Sequence, residues 1–589
     1  MKMKMIMMAL LLMVQGVSSF GTLERTAFAI HPTSNPRPHG LMHISTIHLE
    51  NHRRSSSANP SPLCALNLRN RRLRGDFPDD YTEHEEDSTG KIIDLKKEEA
   101  TTFYKIDGVT HKTTVSDYPM EWKSKKLQGK PGTTHEITFD MHNGFDQDHF
   151  YVTGLSKNSF ARISKKDPTC QQIFEFENIS YEKDRSASET IEPNPYSDYI
   201  KGSPHTLRFF DKECEKEKGM LWVGLENWGI IVKLNMTSLV NDFSAYEKVE
   251  VNHTDYTQVY DVRIFGMGNS TLRPINTRPH GFCFDEKCDH IYFTGKLTNT
   301  VGRVNTYGTN DTEIKASVQH FELPTLGAVP IYVALGPDNN IWGTCLNNNI
   351  IFQIKTNETG LVTEVPIDMC KADGQERKPI AIQKDPKNKF MWFSTQDGHS
   401  ICRLDTDKFN NEYVPTRHNE TDSKCVCSPG CKTMMKSNNL NKAKITYPII
   451  EFQIPKKHHH MMLGGLAFSK NGDEIWTQSR VDTGDEIMNK LSDYIIKICL
   501  DKKDRDGDLH VRDFEAKFTG NIEYFRVPTK NTLLHRIVLD QEDKVWFTEL
   551  GADRVGTVTQ QVTQQMGVWW GKKAYLWVIR KLTRKNNWR

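Results

Sequence analysis

The sequence lacks several features that mark large classes of protein. Beyond the first twenty residues, no apolar run reaches the roughly 18 residues of a membrane-spanning helix. Lys and Arg number 77 and Asp and Glu 75, so a formal net charge of +2 gives no global attraction to nucleic acid or to an anionic membrane. There is no glycine-rich phosphate loop and no Gly-x-Ser-x-Gly nucleophile elbow. We therefore expect no nucleic-acid partner and no transmembrane segment.

The N-terminus is typical of a secretory signal peptide. Two lysines precede an apolar stretch over 6–14, and small residues over 17–19 form a cleavage site, so residues 1–19 are predicted to be removed on entering the secretory pathway. Seven Asn-x-Ser/Thr triplets follow, and as a group they support a secreted glycoprotein. The predicted glycosylation sites are Asn178, Asn235, Asn252, Asn269, Asn310, Asn357 and Asn419.

Residues 20–100 have the composition of a disordered leader. Residues 20–74 are rich in His, Arg, Ser and Pro and poor in acids, and residues 75–100 are strongly acidic, so neither part can bury a core. Two interpretations of the basic part are open. It is either a propeptide cut after Arg74 or a transit segment, because a signal peptide followed by a basic, Ser-rich tract resembles the two-part plastid leaders of algae. Secretion is the first prediction, and plastid delivery is the alternative.

Twelve cysteines are present, and in an oxidising lumen they can pair. Cys425, Cys427 and Cys431 cluster in a polar insertion without a fourth nearby zinc ligand, and Cys283 and Cys288 flank a predicted tight hairpin. Local disulfides are therefore favoured over a structural zinc site.

Self-similarity is the strongest signal in the chain. One unit comprises an inner strand, a polar turn, a strand centred on an aromatic residue, a second turn, and a strand carrying a basic residue. The central aromatics are Tyr151, Trp222, Tyr292, Trp342, Trp392, Trp476 and Trp546. Their shortest spacing, from 292 to 342 and from 342 to 392, is 50 residues, close to the roughly 40–50 residues of a four-stranded propeller blade.

A fourth strand is predicted next to six of the seven units. These segments are 172–176, 246–251, 318–323, 362–367, 449–454 and 522–527. The sequence therefore predicts an all-β, seven-bladed β-propeller over 101–559, followed by a basic, Trp-rich tail over 560–589. The last unit has no outer strand of its own, so a strand at 102–106 or 113–118 is predicted to complete it and close the ring.

Three segments resemble one known family. Pro-His-Gly at 279–281, Trp-Phe-Thr-Glu at 546–549 and Gly-Ala-Asp-Arg-Val-Gly at 551–556 are similar to the repeat of the virginiamycin B lyase (streptogramin lyase) family, over about 133–559. The resemblance implies a seven-bladed propeller. It also implies magnesium-assisted elimination across an ester C–O bond, which opens a cyclic depsipeptide without water.

The resemblance carries over to this chain only in part. The family's general base falls on His535 and one of its acids on Glu549, so both are candidate catalytic residues. Its second acid falls on Leu533, and its other histidine falls on Gly464. A magnesium site with a single carboxylate is weak, because this ion prefers oxygen ligands.

The first channel-facing position of each inner strand, called here the mouth position, offers a different site. It is occupied by His135, His205, His280, Ile331, Ile380, Gly464 and His535. Because the seventh blade neighbours the first, the four histidines occupy consecutive blades. Together with Glu549, they are candidate ligands of a softer ion such as zinc, and the other interpretation is that they only hydrogen-bond within the channel.

Two functions follow from these patterns. One is a secreted, metal-assisted carbon–oxygen lyase that acts at the channel mouth. The other is a non-catalytic glycoprotein that binds a small molecule or peptide in its channel, or a protein partner through its loops. A propeller supports both, so the fold alone does not decide between them.

Overall fold

The computed structural model describes only part of the chain. The described residues are 28–29, 45–46, 97–106, 109–120, 133–141, 144–177, 202–210, 218–242, 246–264, 274–307, 317–357, 361–367, 377–412, 448–458, 461–481, 493–506, 516–530 and 532–563. The predicted signal peptide, most of the leader, Asn178, Asn269, Asn310, Asn419, the 425–431 cysteines and the tail beyond 563 lie outside them.

The chain divides into two compact units, Met1–Asn59 and Pro60–Arg589. In the first unit, two short strands are described, β1 (Phe28–Ala29) and β2 (Ser45–Thr46), and they pair antiparallel.

The second unit contains seven β-sheets, one for each repeat. The innermost strands are β5 (Thr134–Thr138), β9 (Pro204–Phe209), β14 (Pro279–Phe284), β18 (Pro330–Leu335), β22 (Pro379–Lys384), β26 (Met461–Phe468) and β30 (Leu534–Leu539). The second strands are β6 (His149–Gly154), β10 (Met220–Leu225), β15 (His290–Gly295), β19 (Ile341–Cys345), β23 (Met391–Thr395), β27 (Glu474–Val481) and β31 (Val545–Glu549). Each second strand pairs antiparallel with its inner strand.

The outer half of each sheet completes the blade. The third strands are β7 (Ser159–Ser164), β11 (Ile230–Asn235), β16 (Thr300–Asn305), β20 (Ile350–Ile354), β24 (Ser400–Leu404), β28 (Tyr494–Cys499) and β32 (Arg554–Thr563). The fourth strands are β8 (Gln171–Phe176), β13 (Tyr256–Asp261), β17 (Gln319–Glu322), β21 (Val362–Pro366), β25 (Ile449–Gln453), β29 (Ile522–Arg526) and β4 (Val109–Pro119). Short helices lie at Met236–Leu239, Thr406–Glu412 and Lys502–Asp506, and 3₁₀ turns at Leu155–Lys157 and His253–Asp255. No helix of the described residues has the length and apolarity needed to cross a bilayer.

The predicted seven-bladed propeller is confirmed. Inner strands of successive blades contact one another around the ring, and β30 contacts β5. The N-terminal strand β4 pairs antiparallel with β32, so the 113–118 segment supplies the missing outer strand of the last blade. The other candidate, 102–106, lies in β3 (Glu98–Ile106), one strand further out.

One outer strand was predicted in the wrong blade. Tyr246–Val251 forms β12, which pairs in parallel with β8 and adds a fifth strand to the first blade. The second blade is completed by Tyr256–Asp261 instead. Two strands separated by only four residues could each form the outer strand of the second blade. The alternating pattern of the sequence does not show which of them does so.

The propeller also extends beyond its predicted limits of 101 and 559. Strand β3 begins at Glu98, inside the predicted leader, and β32 ends at Thr563, inside the predicted tail. Strand β3 is the outermost strand of the last blade, and the end of β32 pairs with β4.

The central aromatics fill the core between blades, as predicted. Trp222, Trp342, Trp392 and Trp546 are almost fully buried. A buried indole needs a partner for its N–H, and Trp546 Nε1 donates to Asp540 over 3.0 Å. The aspartate in the preceding turn therefore anchors the aromatic residue of this blade.

The cysteines at 283 and 288 do not pair with each other. Cys288 takes part in a disulfide bond, and so, separately, does Cys499, whereas Cys283 carries a thiol. The hairpin prediction is correct, because Cys283 lies at the end of β14 and Cys288 in the turn that follows, but the favoured local disulfide is not formed.

Candidate functional site

The mouth positions lie at a β-bulge that recurs in all seven blades. The pairing register between the inner and second strands shifts next to each of them, for example between Leu534 and Ile537 in the last blade. A bulge leaves residues unpaired and re-aims their side chains. It therefore presents the mouth residue and the residue after it to the centre of the ring.

Hydroxyl groups of the second strands hold these bulges. Thr548 accepts a hydrogen bond from the backbone N–H of Arg536 at 3.1 Å and donates to the carbonyl of His135 in the next blade at 2.8 Å. Thr294 does the same for Gly281 and Ile331. The threonine of the repeat therefore fixes its own bulge and the mouth residue of the following blade.

The four predicted histidines come together as a continuous layer. The ring centres of His535 and His135 are 3.8 Å apart, those of His135 and His205 3.9 Å, and those of His205 and His280 3.9 Å. Each blade thus places its imidazole against that of the next blade. We call His535, His135, His205 and His280 the histidine layer.

The histidine layer is buried and uncharged. None of its side chains is more than 9% exposed. Burial lowers the pKa of all four imidazoles well below the usual value, and the positive charges of Arg536 and Lys296 act in the same direction on His135 and His280. The imidazoles are therefore neutral at physiological pH.

Several polar atoms of this layer have no hydrogen-bond partner. His280 Nδ1 donates to the carbonyl of Ile331 over 3.0 Å. By contrast, Nδ1 of His135 and both ring nitrogens of His535 have no partner, nor does the amide of Gln478, which packs against Gly464. Buried polar atoms without partners call for an ordered water or a ligand.

A strained backbone position precedes the layer, and sequence reasoning missed it. The residue two before the mouth position has a positive φ in five blades, at Ser203, Arg278, Val329, Lys378 and Leu533. Leu533, where the family has an acid, has φ 44°. Non-glycine residues rarely adopt this region. None of these residues is a glycine or asparagine, the usual sequence signs of a positive φ. The one signal in the sequence is that each lies two residues before a mouth position.

Glu549 does not join the histidines. Its partner across the strands is Leu534, and its carboxyl is fully buried beside Asp117, Arg554 and Asp493. Arg554 Nε already donates to Asp117 over 2.6 Å. Burial, followed by the negative charge of Asp117, raises the pKa of Glu549 well above its ordinary value. The predicted pair of His535 and Glu549 is therefore not assembled.

Below the histidine layer, the inner strands surround a cavity of about 340 Å³. It begins at the residue after each mouth position, and all seven of these line it: Glu136, Thr206, Gly281, Tyr332, Ala381, Gly465 and Arg536. Two positions further along, Arg208 and Gln383 reach the cavity and are exposed within it. We call this space the channel cavity.

Several solved structures are similar to the chain. A streptogramin B lyase matches with a TM-score of 0.44 and 17% identity, over 76% of this chain and 98% of that one. Virginiamycin B lyase from Staphylococcus aureus matches with a TM-score of 0.43 and 16% identity, over 76% of this chain and 99% of its own. Hydrazine synthase of Kuenenia stuttgartiensis matches with a TM-score of 0.41 and 10% identity, over 76% and 99%.

The chain resembles the virginiamycin B lyases in fold. No protein-family model and no curated protein matches it. At this level of identity the resemblance to virginiamycin B lyase concerns the propeller and not its chemistry.

The magnesium that the lyase resemblance implies does not fit the residues present. Glu549 is the one carboxylate of the predicted set, and it faces Asp117 instead of the channel. Among the described residues, no three His, Cys, Asp or Glu side chains are arranged to hold a metal ion. We therefore derive no step through a magnesium ion.

Zinc requires a different spacing from the one observed. With Zn–N distances of about 2.0–2.1 Å, two imidazoles on one tetrahedral ion have ring centres about 5 Å apart. The neighbouring rings of the histidine layer are 3.8 and 3.9 Å apart. They pack against each other, and zinc binding would require them to turn.

Proposed function

We propose that this protein is a secreted binding protein that holds a small-molecule or peptide ligand in the channel cavity. The cavity is the observation that carries this proposal. Its volume of about 340 Å³ lies at the lower end of the range of ligand pockets, about 300–1,000 Å³. Aromatic and aliphatic residues such as Tyr332 and Ala334 line it together with polar ones such as Thr206 and Gln383.

Three positions favour binding over the lyase reaction. Elimination next to a carbonyl needs a base and a group that stabilises the developing enolate. Leu533 and Gly464 cannot supply these functions, and the carboxyl of Glu549 is buried away from His535. Of the implied set, His535 alone remains at the mouth.

A second candidate, the carbon–oxygen lyase, is favoured by one observation. His535 is neutral and both of its ring nitrogens are without partners, so it can accept a proton if a substrate reaches it. A protein partner bound through the loops is the third possibility, and it needs neither the cavity nor His535.

Channel binding is tested with benzamide, a small neutral aromatic probe, in ligand-detected NMR. We expect wild-type protein to bind it and Ala334→Phe to lose binding, because Ala334 lines the cavity. The matched control is Leu326→Phe, since Leu326 is 89% exposed on the surface. Equal binding by the two variants, or none by wild-type protein, contradicts the proposal.

The lyase candidate is tested with a cyclic depsipeptide of the streptogramin B class, followed by chromatography with mass detection. Ring opening by elimination leaves the mass unchanged and shifts the retention time. We expect no shift with added Mg²⁺. A shifted product of equal mass, lost in His535→Ala and kept in the exposed-site variant His253→Ala, would establish the lyase instead.

The metal site stays a prediction, and elemental analysis tests it. Bound zinc that disappears in both His135→Ala and His535→Ala would place an ion in the histidine layer. If the protein contains no metal and zinc does not change its unfolding temperature, the metal site is contradicted. The histidine layer would then have only a packing role in the channel.

Secretion is supported by cysteine chemistry and by surface position. Cys288 and Cys499 each take part in a disulfide bond, which is typical of an oxidising compartment. Of the predicted glycosylation sites, Asn252 and Asn357 are exposed and Asn235 is half-buried. Expression in a secreting eukaryotic cell should give medium-borne protein whose mass falls on glycosidase treatment. Accumulation of an unglycosylated tagged protein in plastids of an alga would support the alternative leader.

A further inference from the structure

The channel cavity carries an excess of positive charge. Its charged lining residues are Arg208, Arg536 and Glu136. One glutamate against two arginines leaves one positive charge in the lining of the cavity. Because low-dielectric walls strengthen the field inside a cavity, this imbalance selects the charge of a ligand.

Two of these three groups neutralise each other. Arg536 Nε donates to Glu136 over 2.8 Å, and the Arg536 guanidinium stacks over the ring of Tyr332 at 4.5 Å. Both charged side chains are mostly buried, at 6% and 14% exposure. This pair is therefore fixed in the wall, with its charge already compensated.

Arg208 is the group left over. It is exposed within the cavity, and no carboxylate of the described residues lies within ion-pair distance of it. Arginine presents a fork of N–H donors that matches a carboxylate. The exposed Gln383 lines the same cavity and offers an amide N–H as a further donor.

The layer above the cavity leaves this charge balance unchanged. Its imidazoles are neutral, and the cations Arg536, Lys296 and Arg480 act on them. The carboxyl of Glu226 lies 3.8 Å from Nε2 of His205, but it does not line the cavity, and burial raises its pKa. Among the other lining residues, Ala334, Ala467 and Val538 occupy the same strand position as Arg208 and are apolar, whereas Thr138 and Thr206 carry hydroxyl groups. An apolar body is therefore accommodated beside one anionic group.

We propose that the channel cavity binds a small organic carboxylate, with its anionic group on Arg208 and its apolar body against Tyr332 and the aliphatic wall. This inference rests on the proposed function, because it names the class of ligand that the cavity holds.

The test compares benzoate with benzamide, two probes of equal shape and different charge, by ligand-detected NMR on the full chain. We expect wild-type protein to bind benzoate about tenfold or more tightly than benzamide, since hydrogen bonds to charged groups are among the stronger ones. Arg208→Ala should abolish that preference while it keeps the affinity for benzamide. Arg526→Ala, which removes an exposed arginine of an outer strand that does not line the cavity, should keep the preference for benzoate.

The outcomes separate this inference from the proposed function. Equal affinity for the two probes, with binding still blocked by Ala334→Phe, overturns the carboxylate assignment and leaves a neutral ligand site. A preference for benzoate that survives Arg208→Ala also overturns it. Absence of binding by both probes removes the channel site together with its ligand class.

Discussion

At the scale of single residues, the position of Glu549 decides what the site can do. Sequence reasoning placed this glutamate at the channel because the family pattern has an acid there. In the structure, its backbone pairs with Leu534, so its side chain enters the space between the last two blades. There Asp117 already holds Arg554, and Glu549 lacks a counter-charge of its own.

The first prediction concerns the pH dependence of stability at Glu549. The folded state raises the pKa of this carboxyl, so it favours the protonated form. The resulting stabilisation is complete below the unfolded-state value near 4.5 and is lost as pH rises through the folded-state pKa. Glu549→Gln cannot ionise. Its stability relative to wild type should therefore increase with pH, by up to about 1.4 kcal/mol per pH unit.

Urea unfolding at pH 5, 7 and 9 measures this difference. Glu542→Gln is the control, because Glu542 is exposed and its substitution should leave the pH profile unchanged. A constant offset between Glu549→Gln and wild type at all three pH values would mean that the carboxyl is ionised in the fold.

The second prediction concerns acid stability and the histidine layer. Burial holds the folded-state pKa of its four imidazoles well below the ordinary value of 6.5. An unfolded chain therefore binds more protons below that pH. Stability is full above pH 6.5 and falls as pH drops below it, by about 1.4 kcal/mol per pH unit for each extra proton bound.

Thermal unfolding between pH 7.5 and 5 checks this expectation. His205→Leu removes one titrating group and should flatten the profile. His253→Leu is a suitable control, since His253 is an exposed residue outside the channel. An unfolding temperature that is constant down to pH 5 would show that the layer accepts protons without penalty.

At the scale of elements, the turn between the second and third strands links neighbouring blades. Asn299 and Asp553 occupy this turn with positive φ values of 57° and 53°. The Asn299 side chain accepts a hydrogen bond from Val329 N, just before the next inner strand. In the last blade Asp553 accepts from the backbone N–H groups of Thr133 and Thr134 in the first blade.

The third prediction tests this link at the point where the ring closes. Asp553→Ala leaves two buried N–H groups without an acceptor and places alanine at a positive φ, so it should cost roughly 3 kcal/mol of unfolding free energy. Asp553→Asn keeps an acceptor oxygen and tolerates this backbone region. It should therefore remain close to wild type in chemical denaturation. Equal losses in both variants would assign the effect to the charge and not to the hydrogen bonds.

These elements show where sequence reasoning works and where it stops. The repeat identified the mouth positions, because the bulge recurs at a fixed offset from each central aromatic. It therefore predicted four neighbouring imidazoles at His535, His135, His205 and His280, and the structure brings these rings together. It did not place Glu549 or Arg208, because a one-residue step along a strand turns a side chain to the other face.

At the scale of the whole molecule, seven sheets form a ring only because the two ends of the propeller segment meet. The seventh blade takes its outer strand from the N-terminal side, where β4 runs antiparallel to β32. The sequence predicted this closure because the last repeat unit has no outer strand of its own. It did not choose between two candidate strands, and in the structure the two differ in their partner: β4 pairs with β32, whereas β3 pairs with β4.

The fourth prediction concerns this closing strand. Val115 on β4 is 1% exposed and packs in the core shared by the last two blades with Phe525, Ile537 and Val558. Val115→Asp buries a charge without a partner there, so it should unfold the whole propeller or lower its melting temperature steeply. Phe103→Asp is the matched control, because Phe103 on β3 is 63% exposed and its strand lies outside the closure. Circular dichroism melting should show one cooperative transition in the control and a lost or strongly shifted one in Val115→Asp. Equal melting temperatures of the two variants would contradict this prediction. They would mean that β4 is not needed for closure, and that the inner strands and the hydrogen bonds of Asp553 close the ring.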